Sequence, residues 1–357
     1  MCQLHLQQAS TDLFADRMMD VLNHGALALM TSIGHRTGLF DTLSESGPST
    51  VEDLAATAKL NARYVREWLG AMVTGGFISY VPDTEQYFLP AEHASTLTRN
   101  AAPDNMAAFT QYIGLLGSVE DKIVDCFHNG GGVPYADYPR FQDVMAEDSG
   151  QTVLPALTDS ILPMVPGLIA ALEDGIDVLD VGCGSGKALN LMAAAFPRSR
   201  FTGYDISDKA LARGRAEAAT AGVRNLTFEV QDVSQLDGSR QFDLITAFDA
   251  IHDQRDPAAV LGGIRAALRT DGTFLMQDIA GSSDVHKNLD HPIGPFLYTI
   301  SCMHCMTVSL AEGGAGLGAM WGEELALEML REAGFTSVQV QQLPHDIQNS
   351  YYVATLC

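Results

Sequence analysis

Basic residues are scarce in this chain. Its 357 residues hold 21 Lys and Arg against 44 Asp and Glu, a formal charge of −23. Tight binding to a phosphate backbone leaves a basic footprint, so nucleic acid is disfavoured as a partner, and so is an anionic membrane surface. Long apolar runs are missing too. No stretch of 18 apolar residues occurs, so no transmembrane helix is expected. Cysteine is sparse and scattered, at positions 2, 126, 183, 302, 305 and 357, which excludes a disulfide scaffold. The first twenty residues lack the basic-then-apolar layout of a secretion signal. These absences together predict a reduced, cytoplasmic protein. What is present is ordinary for a globular chain: 46% apolar and 18% charged residues, with a length that suits about two domains.

Two textures follow one another along the chain. Residues 10–45 read as helical, with an apolar stripe of Met18, Val21, Leu22, Leu27, Met30, Ile33 and Leu39. Ser49 or Thr50 caps a short helix over 51–58, with Glu52 and Asp53 in its first turn. A helix over 62–73 follows and stops at Gly75 and Gly76. Residues 77–81 and 86–89 then read as a hairpin, which completes the pattern of a winged helix. Residues 94–172 are mostly helical, interrupted by a glycine-rich stretch over 128–134 that no helix interior tolerates. Tyr135, Tyr138 and Phe141 come next, so this stretch reads either as a ligand-covering loop or as a plain connector.

From residue 176 strands and helices alternate. Strands are expected at 176–181, 200–205, 226–231, 242–248 and 273–277, with helices near 187–196, 208–221 and 257–269. This rhythm means α/β architecture with a parallel, doubly wound sheet. Residues 281–321 break it with His, Cys, Met and Gly clusters. A helix over 321–333 and an antiparallel pair at 337–343 and 351–356 close the chain.

The first strand of the sheet ends in Asp180-Val-Gly182-Cys183-Gly184-Ser-Gly186 and runs straight into a helix. Glycines there let a ligand approach the backbone closely. A phosphate-cradling loop fails, because Ala188 follows Gly186-Lys187 and Val181 stands where its first glycine is needed. A dinucleotide fingerprint fails as well, because its third glycine would fall on Lys187 or Leu189. The loop resembles instead the Asp-x-Gly-x-Gly-x-Gly loop of S-adenosylmethionine-dependent methyltransferases of the doubly wound class. The next strand ends in Asp205, 23 residues after Gly182, and the third in Gln231-Asp232-Val233. The resemblance implies a seven-stranded Rossmann-like sheet with S-adenosylmethionine as cofactor and S-adenosylhomocysteine as its product. It carries the ribose hydroxyls to Asp205 with Ile206 beside it, and the adenine edge to Asp232 and Val233. Asp180, Gly182, Cys183, Gly184 and Gly186 would line the loop under the methionine end, with Phe248 and Asp249 beside the sulfonium.

The fourth strand continues into Asp249-Ala-Ile-His252-Asp253-Gln254. Ligands bind at the carboxyl ends of strands in such sheets. In winged-helix O-methyltransferases, which this segment resembles, a His-Asp pair here supplies the catalytic base, so His252 and Asp253 are the expected catalytic pair. Gln254 departs from the aromatic residue usual there. The 281–321 insertion is expected to face substrate, with Tyr135, Tyr138, His286, His291 and His304 as acceptor contacts. Cys302-x-x-Cys305 lacks a second cysteine pair, so no metal is expected.

The whole layout resembles bacterial and mycobacterial winged-helix methyltransferases related to the O-methyltransferases. It implies a winged-helix region over 1–110 that builds a homodimer and helps form the pocket. A helical linker with the glycine-rich loop over 111–150 and a methyltransferase domain over 151–357 complete it. The implied activity is methyl transfer to a small aromatic or apolar acceptor, oxygen favoured. A DNA-binding regulator is the alternative a winged helix raises, but residues 1–100 carry six basic and eleven acidic side chains. The other alternative is a protein that binds the cofactor without catalysis.

Overall fold

The computed structural model describes residues 2–344 and 346–356, with side chains described from residue 13 onward. The chain divides into two compact units, Met1–Gly117 and Ser118–Cys357.

In the first unit a long helix, Cys2–Thr37, is followed by helices Leu39–Ser46, Val51–Ala58 and Ala62–Thr74 and by the hairpin of β1 (Ser79–Val81) and β2 (Gln86–Phe88). Thr50 caps its helix by accepting from the Asp53 amide at 3.2 Å, and Asn61 caps the next by accepting from Arg63 at 2.9 Å. Phe40, Leu54, Leu69 and Met72 form a fully buried core. The Trp68 ring packs edge-on against Phe40 with centroids 5.1 Å apart, and its indole N–H donates to Met30 O at 2.9 Å. The apolar stripe of the first helix splits in two. Leu27 and Met30 pack on this core, whereas Met18, Val21 and Leu22 are 51, 55 and 72% exposed.

The second unit is built on a seven-stranded sheet: β3 (Asp177–Val181), β4 (Arg200–Asp205), β5 (Leu226–Val230), β6 (Phe242–Phe248), β7 (Leu268–Ile279), β8 (Ser337–Gln341) and β9 (Asn349–Thr355). The spatial order is β5-β4-β3-β6-β7-β9-β8. The first five in that order run parallel; β9 pairs antiparallel to β7, and β8 antiparallel to β9, so β9 alone runs against the others. Consecutive residues face opposite sides, as the pleat dictates. Ile245, Phe274 and Tyr352 fall in one buried cluster, while their neighbours Leu244, Leu275 and Tyr351 fall in another. Both faces are therefore covered, as a parallel sheet requires. The strand expected at 273–277 begins earlier, at Leu268, because Phe242 pairs with Leu268 across an irregularity before the register resumes at Leu244↔Thr273. The order of connection reverses between β3 and β6, which opens a crevice at their carboxyl ends.

The 281–321 segment is more regular than its composition predicts. Helix Gly294–Ile300 passes through a π turn at Ser301–Cys305 into helix Met306–Ala311. No single described helix is long and apolar enough to cross a membrane.

Candidate active site

The crevice is floored by the glycine loop. Gly182, Gly184 and Gly186 all have positive φ, at 67, 54 and 63°. Packing demands two of them: a Cβ on Gly182 would meet Ala250 at 2.7 Å, and one on Gly186 would meet the Phe228 ring at 2.2 Å. Gly184 differs, because nothing lies within 4 Å of the place its Cβ would take. That open cradle lies beside Asp205, whose Oδ2 accepts from the Gly184 amide at 2.8 Å and whose Oδ1 accepts from Ser207 at 2.7 Å. Burial pushes the Asp205 carboxyl up, against these two amide bonds. Beneath the loop Asp180 accepts from the Thr246 hydroxyl at 2.7 Å, and burial pushes it up to about 7. The Cys183 thiol is pushed far up, first by burial and then by Asp180 and Asp205. Ile206 is exposed next to Asp205. Asp232 caps its own turn through Ser234 and Gln235, and the Ser234 hydroxyl foremost holds its carboxyl below the usual range. Val233 is buried behind it.

Phe248 ends β6 half-buried, and Asp249 follows in a left-handed conformation at φ 52°. The Asp249 amide donates to Gln277 O at 3.0 Å and its Oδ2 accepts from Gln277 Nε2 at 2.9 Å, while its buried Oδ1 has no partner. Burial first, then the Asp278 charge, drives the Asp249 carboxyl well above its ordinary value. His252 is buried, and its Nδ1 lies 2.8 Å from Asp278 Oδ1. That oxygen also accepts from Ile279 N at 2.8 Å and from Trp321 Nε1 at 2.9 Å. Burial works to lower the His252 pKa, but Asp278 and, after it, Cys305 together outweigh burial and hold the value well above 6.5. The structure therefore pairs His252 with Asp278, not with its sequence neighbour Asp253. Asp253 lies close by, pushed to about 6 by burial, with His252 lowering it and Asp278 and Asp205 raising it. The sequence reading missed Asp278 and Trp321. An acid at the carboxyl end of the strand beside β6 was the available signal.

Asp249, His252 and Asp278 also bring ligand-type atoms within 4.8 Å of one another. Asp278 Oδ1 already takes three N–H donors, so the set as it stands is a hydrogen-bonded network.

The glycine-rich loop and the insertion meet beside this network. A Cβ on Gly132 would lie 2.0 Å from Thr307 O, and Val133 N donates to Thr307 Oγ1 at 2.8 Å. Tyr138 donates to Met303 O. His304 stacks on Phe141 at 3.6 Å and 7°, with Tyr138 and Tyr135 edge-on at 4.8 and 5.4 Å. Tyr135 is 40% exposed as a residue, but its hydroxyl is pushed up by burial and then by Asp253, Asp205 and Cys305. His286 and His291 are not brought into this cluster. His286 is exposed, and His291 Nδ1 accepts from Ile293 N at 3.3 Å. Because Gly132 is pressed against backbone, Gly132→Ala is expected to cost about 1–3 kcal/mol. Thermal unfolding would show it, with the neighbouring Gly131→Ala as control: its Cβ would enter open space, although its φ of 82° leaves some strain.

Comparison with known proteins places two matches on the chain. Residues 25–99 match the Rv2258c-like winged HTH domain, and residues 172–342 match a methyltransferase domain. A trans-aconitate 2-methyltransferase of Enterobacter sp. is 33% identical over 122 residues, covering 34% of this chain and 44% of that protein. A ubiquinone biosynthesis O-methyltransferase of Neisseria meningitidis is 31% identical over 111 residues, covering 29% of this chain and 44% of that protein. This chain thus spans under half the length of these curated relatives. Among solved structures, human N-acetylserotonin methyltransferase in complex with S-adenosylmethionine aligns with a TM-score of 0.70 at 17% identity, over 96% of this chain and 97% of that one. A mitomycin 7-O-methyltransferase aligns with a TM-score of 0.70 at 16% identity, over 98 and 99%. At such identities the shared feature is the fold.

Proposed function

Since the chain carries a methyltransferase domain behind a winged helix-turn-helix domain, we propose that it transfers a methyl group from S-adenosylmethionine to an oxygen of a small aromatic or apolar molecule. The observation that carries this reading is the open cradle over Gly184, stapled to the Asp205 carboxylate at the switch point of the sheet. Asp205 holds the ribose hydroxyls, because each of its oxygens keeps a lone pair beyond the amide it accepts. Asp232 and Val233 flank the adenine edge. Asp180, Gly182, Phe248 and Asp249 surround the methionine end, where buried carboxyls suit a cationic group. When bound, the cofactor supplies the methyl group on a sulfonium, the hard part of the chemistry.

The chain's own task is the acceptor's proton. A phenol of pKa near 10 is about one part in a thousand ionised at pH 7, a deficit of about 4 kcal/mol. Neutral His252 takes that proton on Nε2, the nitrogen turned away from Asp278. Asp278, fixed by Trp321 and Ile279, orients the ring and stabilises the imidazolium that results. Tyr135 and Tyr138 wall the acceptor side. Calorimetric titration of the full chain with S-adenosylmethionine tests the reading, which predicts micromolar binding; no binding would defeat it.

The protein works as a homodimer through its first helix. Leu13, Phe14, Met18, Met19 and Leu22 are all exposed on one stretch, more apolar surface than a monomer ordinarily presents. Light scattering should give about twice the 38.3 kDa chain mass, falling to one mass when Leu22 and Met18 become Glu. A single mass for the native chain would remove the dimer. The described cysteines are free thiols, as a reducing cytoplasm keeps them.

A further inference from the structure

We propose that the acceptor carries no negative charge: it is a neutral or cationic hydroxy compound whose polar group pairs with the imidazole of His304. This deepens the reading above and rests on it.

Two independent features point there. The first is charge. Asp180, Asp205, Asp249, Asp253 and Asp278 gather at the carboxyl ends of β3, β4, β6 and β7 and repel one another in sequence: Asp180 with Asp205, Asp205 with Asp253, Asp253 with Asp278, Asp278 with Asp249. Among the described residues the one ion pair in this set is Asp278 with His252; no Lys or Arg joins it. Burial and this repulsion raise Asp180, Asp249 and Asp253, so part of the set is protonated near neutrality; a sulfonium cofactor offsets part of the charge that remains, and no cation is left over for an added anion. A carboxylate or phosphate on the acceptor would enter a poorly hydrated site with no cation to meet it. A neutral ring or an ammonium meets no such opposition.

The second feature is His304. It is 1% exposed, and neither ring nitrogen has a partner. Buried polar atoms of a native site are ordinarily satisfied, so this pair points to a group that arrives. The ring stays neutral, since burial and then the His252 charge lower its pKa to about 3. It therefore offers one donor and one acceptor, and a hydroxyl complements either. His304 and His252 sense each other, and Tyr135 beside His304 faces Asp253, Asp205 and Cys305. The imidazole thus borders the space in which His252 would take a proton.

The test uses the full chain saturated with S-adenosylhomocysteine and three probes that share a phenol: 4-ethylphenol, tyramine and 4-hydroxyphenylacetate. Calorimetry should give Kd values for the first two at least about tenfold below that of the acid. Asp253→Asn should narrow the gap between tyramine and the acid by about tenfold, and His304→Phe, which keeps the stack on Phe141, should weaken 4-ethylphenol about tenfold. Both variants should hold S-adenosylhomocysteine as the wild type does, which reports that they fold. Equal or tighter binding of the acid overturns the proposal. So does an unchanged gap in Asp253→Asn, or no binding of any probe to the loaded protein. If S-adenosylhomocysteine itself fails to bind, the donor reading falls instead.

Discussion

Asp205→Ala is expected to abolish cofactor binding, raising the Kd for S-adenosylmethionine by at least about 100-fold. Two hydrogen bonds from ribose hydroxyls to a carboxylate are worth about 1.5–3 kcal/mol each, and a tenfold change corresponds to about 1.4 kcal/mol. The substitution also frees the Gly184 and Ser207 amides that the two carboxylate oxygens hold at 2.8 and 2.7 Å. The cradle then loses its shape as well as its anchor. Ribose is common to donor and product, so S-adenosylhomocysteine should weaken in parallel. Asp205→Asn retains an acceptor for one amide and should fall between the two. Calorimetric titration of the three proteins decides it: Asp205→Ala binding within threefold of wild type would sink the assignment.

The second large effect concerns the base. His252→Ala should lower kcat by about 10²–10⁴, the usual worth of a positioned general base, with little change in the Kd of the cofactor. Asp278→Asn separates orientation from proton affinity. In the wild type Asp278, with Cys305 adding to it, holds the His252 pKa well above 6.5, so the neutral base form gains population only as pH rises through that raised value. The rate should therefore climb along a limb above pH 6.5. Replacing Asp278 by Asn removes the anion, which should move the limb to lower pH while lowering its plateau. The same linkage bears on stability. A His whose folded pKa is raised contributes fully below its unfolded pKa and loses that contribution as pH rises through the folded value. Thermal melts of the wild type should thus fall off on the alkaline side, and those of Asp278→Asn should be flatter there. An acceptor that needs no deprotonation would leave kcat unmoved in His252→Ala, and that outcome would falsify the base.

Much of the fold was legible because it is local. The strands at β3, β4 and β6 announce themselves as short apolar runs, and the glycine loop with Asp205 follows from contiguous residues and one fixed spacing. Thr50 and Asn61 act as caps because a cap is chosen within three residues of its helix. The early start of β7 was not legible, since it depends on a register irregularity against β6.

The candidate site divides the same way. Three histidines of the insertion look alike in the sequence, and only the fold separates them. The π turn at Ser301–Cys305 carries His304 against Phe141, while His286 is left exposed and His291 serves a local turn. The exposed stripe on the first helix is a comparable case, because helical periodicity is the same whether a face meets its own core or another chain.

By itself the sequence determined the α/β class, the glycine loop at the end of β3, and the acid 23 residues after Gly182. These are short-range facts, written in periodicity and spacing. Tertiary structure alone decided the partner of His252. Phe248 pairs with Gln277 across β6 and β7, and that register brings His252 to Asp278, 26 residues away, and Asp278 to Trp321, 43 residues further on. Asp253 was nearer in the chain, but covalent neighbours diverge at a turn, and strand register sets which distant side chains converge.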